Sequence, residues 1–174
     1  IQTCAGPVEY LVTHLRQVLS NPDGDLEDVV QHGTLLHGGW AGRQGETGPK
    51  LASITGFLYR MLGDLTQAEH WIDIAVQEAT ADPTTQHLVP RLKTSQLNIK
   101  RECTDFGTMT LAESKKKLQD FLRAQEALLD SSSVEKDQLY ALKHCLRLAS
   151  LSDDERAFEK YLRAARTHAG WGAT

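Results

Sequence analysis

Seven histidines, three cysteines, a run of three lysines and a glycine-rich stretch are the places where this chain could do chemistry. The histidines are His14, His32, His37, His70, His87, His144 and His168. A metal needs ligands that converge, as HExxH or CxxC provide, and neither pattern occurs. His32 and His37 stand five apart, and no Cys or carboxylate is read at a ligand spacing from them. The expectation is therefore histidines on the surface or in helix packing, with no metal and no cofactor. Cys4, Cys103 and Cys145 form no close pair, and an odd count argues against a disulfide framework. A reducing, intracellular setting, cytoplasmic or nuclear, follows from that reading. The stretch 38–48 lacks the Lys-Ser/Thr ending of a phosphate-binding loop and no strand precedes it, so it reads as a flexible connection. No GxSxG occurs and no cysteine sits in a nucleophile context, so catalysis is not expected. Lys115, Lys116 and Lys117 fall inside a helical pattern, where consecutive charges point in different directions and make a solvated face.

The elements that must position these groups read as helices. Of the 174 residues 40% are hydrophobic, 24% charged and only 6% aromatic, a balance of a soluble folded chain rich in straight side chains that lose little freedom in helices. The length suits one domain over 1–174. A net charge of −4 gives no basic footprint for nucleic acid or an anionic membrane, and no apolar run reaches the roughly 18 residues of a membrane span. The chain opens on Ile1 rather than Met, as a fragment of a longer protein would.

Apolar spacing predicts a first helix from Pro7 to the Asn21-Pro22-Asp23-Gly24 stop, and a second capped by Asp25 and carrying Leu26, Val29, Val30, Gly33 and Leu36. Residues 37–48, with five glycines, are expected to form a loop. A third helix runs from Pro49 to Leu62, Gly63 stops it, and Asp64 caps a fourth that reaches Ala81. A fifth covers part of 84–103, with Pro90 in or before its first turn. Thr110 or a neighbour caps a sixth, a seventh covers 134–150, and Ser152 or Asp153 caps an eighth ending near Gly170. The fold class expected is all-α, with about eight helices in four antiparallel pairs.

Residues 49–82 resemble a tetratricopeptide repeat. Gly56, Tyr59, Gly63, Ala68 and Ala75 stand at that family's offsets, where small residues let the two helices cross and larger ones, Tyr59 and Ile72, fill the gaps. A weaker match covers 138–171, with Ala157, Tyr161 and Ala164 on the second helix, Cys145 and Leu148 on the first, and Ser152 at the turn glycine. The resemblance implies a short solenoid of stacked hairpins whose first helices line a concave surface. It places Lys50, Ser53, Phe57, Arg60 and Met61 on that inward side, where Phe57 and Met61 either anchor a guest or pack against a neighbouring helix. On the fifth helix Arg91, Thr94, Asn98 and Arg101 recur at helical spacing opposite Leu92, Ile99 and Cys103, a polar, basic stripe suited to an acidic peptide. Ser53 and Phe57 stand where chaperone-tail adaptors of the family carry Lys and Asn, so that grip on a terminal carboxylate is not expected. The resemblance thus implies a scaffold or adaptor that binds a peptide or helical segment of another protein. Self-association within a larger assembly is the alternative, and a helical enzyme or small-ligand domain with a buried pocket is a third.

Overall fold

The computed structural model describes residues 6–168, and Cys4, Gly170 and the last residues of the 138–171 match lie outside them. Among the described residues the chain is all-helical, with eight α-helices and no strand. These are α1 (Pro7–Leu19), α2 (Leu26–Trp40), α3 (Thr47–Met61), α4 (Leu65–Ala81), α5 (Val89–Cys103), α6 (Leu111–Ser131), α7 (Glu135–Leu151) and α8 (Glu155–Thr167). Short 3₁₀ helices at Pro83–Leu88 and Phe106–Thr108 lead out of α4 and α5. The chain divides into two compact units, Ile1–Leu92 and Lys93–Thr174.

In the first unit α1 packs on α2, α2 on α3 and α3 on α4. Leu11, Val29, Leu51 and Leu58 are wholly buried in its core. In the second unit α6 packs on α7 and α7 on α8, around Leu122, Leu142, Cys145, Leu148 and Tyr161. Caps set the helix starts. Asp25, Asp64 and Asp154 each accept an amide of the following turn, and Thr110 with Glu113 forms a reciprocal capping box.

The largest differences from the sequence-based expectation lie at two connections, and α3 also starts at Thr47, two residues ahead of Pro49. The glycine-rich stretch is not a loop from residue 37, because α2 continues through Gly38 and Gly39 to Trp40 and only 41–46 connects it to α3. Tertiary contact overrides glycine's poor propensity there. His37 is buried with its Nε2 2.9 Å from Glu78 Oε1, its ring lies edge-on to Trp71, and half-buried Trp40 joins the core. At the α7–α8 turn the cap is Asp154 rather than Ser152 or Asp153. Ser152 is buried and its hydroxyl donates back to the Ala149 carbonyl, while Asp153 adopts a left-handed backbone at φ 56°.

Candidate functional site

The outward side of α3 follows from helical geometry. Lys50, Ser53, Phe57, Arg60 and Met61 fall within about 100° of one another around the helix, opposite the buried face of Leu51, Ala52, Thr55 and Leu58. Phe57 is 48% exposed and Met61 38%, so neither is consumed by a neighbouring helix, and Leu62 beside them is also exposed. Ser53 and Arg60 are half-buried. Lys50 is exposed and ion-paired one turn back with Glu46. Glu46 also meets His87 Nε2 at 2.7 Å, and the Lys50 bond first, then that to His87, holds its carboxyl below the usual range.

A close helix crossing supports this face from behind. A Cβ at Gly56 would stand 3.2 Å from the Ala68 carbonyl oxygen and 3.3 Å from the Ile72 amide nitrogen, main-chain atoms that cannot swing away. Glycine here lets α4 lie directly on α3, with Ala68 and Ala75 fully buried.

The polar residues of α5 are placed differently from expectation. Arg91 is exposed, but Thr94 and Asn98 are buried at 2% and 7%. Gln125 of α6, itself buried, donates its Nε2 to Thr94 Oγ1 at 3.0 Å, and Arg101 Nη2 donates to Asn98 Oδ1 at 3.0 Å. The Arg101 side chain is only 13% exposed and lies 3.7 Å from Glu102. Asn98, Arg101, Gln125, His144 and Arg147 border a gap of about 10 Å³, room for one water at most. The expected surface stripe is thus a polar seam inside the second unit at these three positions. An i, i+3, i+7 recurrence locates a face of a helix and is silent on what covers it.

One cluster went unread in the sequence. His14 of α1 and Asp28 and His32 of α2 bring three ligand atoms within 4.8 Å of one another. His14 Nε2 lies 3.0 Å and His32 Nδ1 3.6 Å from the same Asp28 oxygen, and the two rings meet edge-on with centroids 4.9 Å apart. The signal was there. Asp28 precedes His32 by one helical turn, and a hairpin turning through 20–25 sets residue 14 opposite the turn of α2 that holds them.

Comparison with protein-family models, with curated proteins and with solved structures returns no match. No helix among the described residues is long and apolar enough to cross a membrane.

Proposed function

We propose that the chain is a protein-interaction module of tetratricopeptide type that takes a peptide or helical segment of a partner against the outward side of α3. The observation that carries this reading is the exposure of Phe57 and Met61, one turn apart on a helix whose other side is fully buried. An aromatic and a thioether held out by a rigid helix form an adaptable apolar anchor. The crossing of α3 and α4 at Gly56 and Ala68 supports the family reading, since small residues at that contact are what such a hairpin requires. Lys50 and Arg60 flank the anchor, so a guest with an apolar side chain beside Asp or Glu suits the face.

A displayed random-peptide library panned against the chain tests this. Enriched peptides should carry an aromatic or aliphatic anchor flanked by acidic residues, and Phe57→Asp should abolish their binding with helicity unchanged. Peptides indifferent to that substitution would remove α3 as the site. Self-association is a second reading, favoured by exposed Leu151 and Phe158, the latter lining an open cleft with Ala149 and Leu162. Sedimentation across a concentration series separates the two. A mass that rises with concentration and reverts in Phe158→Glu favours stacking of copies.

A further inference from the structure

The geometry points to a divalent transition-metal site, suited to Zn²⁺, formed by His14, Asp28 and His32 at the α1–α2 hairpin. A tetrahedral zinc ion with bonds near 2.0–2.1 Å needs ligand atoms about 3.3 Å apart. The 3.0 Å and 3.6 Å separations from Asp28 Oδ2 to the two imidazoles straddle that value, and with all three ligand atoms within 4.8 Å of one another the imidazoles have only to close towards each other to take an ion. Two imidazoles and one carboxylate are a borderline donor set, matched to Zn²⁺ and its neighbours in the series rather than to Mg²⁺ or Ca²⁺, which prefer all-oxygen shells.

His32 Nδ1 also lies 2.9 Å from the Asp28 carbonyl oxygen, so coordination through Nδ1 exchanges that hydrogen bond for the ion and leaves the proton on Nε2. The Tyr10 ring lies beside both imidazoles, its centroid 6.1 Å from each, stacked on His14 and edge-on to His32. Asp28 is 49% exposed, so an ion has a way in and a water completes its fourth position. Because His14 lies on α1 and the other two ligands on α2, the ion ties the first helix of the chain to the second, and its binding adds to the stability of the hairpin by mass action.

The test is a Zn²⁺ titration by calorimetry in a Cys4→Ser/Cys103→Ser background, which keeps thiolates from competing. The expected result is one ion per chain and a Zn²⁺-dependent rise in the unfolding midpoint. His14→Gln, Asp28→Asn and His32→Gln should each weaken binding by at least about tenfold, the loss that even outer-sphere changes bring. His70→Gln, a control outside the cluster, should bind as the parent does. Co²⁺ in place of Zn²⁺ should show the intense visible bands of tetrahedral coordination. Absence of one-to-one binding in the parent, equal affinity in the His32→Gln chain, or a Co²⁺ spectrum like that of the aqueous ion overturns the proposal. Because the parent titration needs no substitution, a variant that fails to fold does not shield the idea.

Discussion

At the end of α3 the amide of Asp64 donates to the Tyr59 carbonyl at 3.0 Å and that of Gly63 to the Arg60 carbonyl at 3.1 Å. At the end of α7 Asp154 donates to Ala149 at 3.0 Å and Asp153 to Ser150 at 3.2 Å, the same pair of bonds in a left-handed helix cap. Gly63 at φ 82° and Asp153 at φ 56° hold the equivalent position, so the two hairpins register ninety residues apart. The sequence-based register, with Ser152 opposite Gly63, was one residue short. In the corrected register Leu58 and Leu148 coincide, as do Trp71 and Tyr161, and Ala75 and Ala165, all buried. Ala165 is therefore the equivalent of Ala75, whereas Ala164 is exposed. The crossing point differs. Gly56 and Ala68 in the first hairpin become Leu146 and Phe158 in the second, and Phe158 is 37% exposed. One turn design serves both hairpins, while the size of two side chains decides how near the second helix can come and what is left outside.

The largest difference to exploit lies at Thr55 and Cys145, equivalent and wholly buried. The Thr55 hydroxyl donates to the Leu51 carbonyl at 2.9 Å, whereas burial, then the nearby Glu126 charge, pushes the Cys145 thiol up to about 12 from 9.0. Three units of pKa mean about a thousandfold less thiolate at mildly alkaline pH. In the folded chain exposed Cys103 should alkylate with iodoacetamide and Cys145 should not, as peptide mass spectrometry after a timed quench would report. A folded-state pKa above the unfolded value gives a contribution fully present below about pH 9 and lost as pH rises towards 12. Tyr161, raised by burial and then by its hydrogen bond to Glu126, acts in the same direction. Alkaline unfolding should thus strike the α7–α8 core, and Cys145→Ala should flatten that slope. Rapid native labelling of Cys145 would mean that the two cores are not equivalently closed.

Exchanging the crossing residues comes next. Gly56→Leu installs the α7 side chain in α3, where even a Cβ presses on main-chain atoms of α4. Overpacking of this kind costs about 1–3 kcal/mol, and the gain of about 1 kcal/mol in helix propensity offsets part of it. Because those main-chain atoms cannot give way, the upper end of that range applies, and the net loss expected in urea unfolding is about 2 kcal/mol. Phe158→Ala in the second hairpin should cost under about 1 kcal/mol, since over a third of that ring is already exposed. Equal losses would show that the two crossings do not differ in the way their side chains imply.

Most of the helical frame was legible in the sequence because its signals are local. Asp25, Asp64 and Thr110 cap where expected, and Gly63 ends α3 where a left-handed residue is needed. The failures share a cause. Gly38 and Gly39 stay helical because His37 finds Glu78, forty-one residues away, and Thr94 and Asn98 are covered because Gln125 and its neighbours come from α6 and α7. Helical spacing says which residues share a face, but the covering partner is a long-range fact. His14, Asp28 and His32 are an intermediate case, readable once the α1–α2 hairpin register is taken into account. On α3 the repeat offsets fix which side of the helix Phe57 and Met61 take, and only the fold shows that side to be exposed.

The smallest effect probes the shared turn itself. A left-handed residue other than glycine costs about 1–2 kcal/mol, less for Asp, whose short polar side chain tolerates the region. Asp153 also offers its carboxylate to Lys115 at 3.2 Å, but that side chain is 80% exposed and such a pair contributes little. Asp153→Gly should therefore stabilise the second unit by about 0.5 kcal/mol, while Gly63→Ala should destabilise the first by about 1 kcal/mol. Opposite signs at equivalent positions, measured as shifts in urea midpoint without change in slope, are what one turn geometry with two different occupants requires. Loss of stability in both chains would mean that Asp153 is held by more than its backbone conformation, and the likeness of the two turns would then end at their hydrogen bonds.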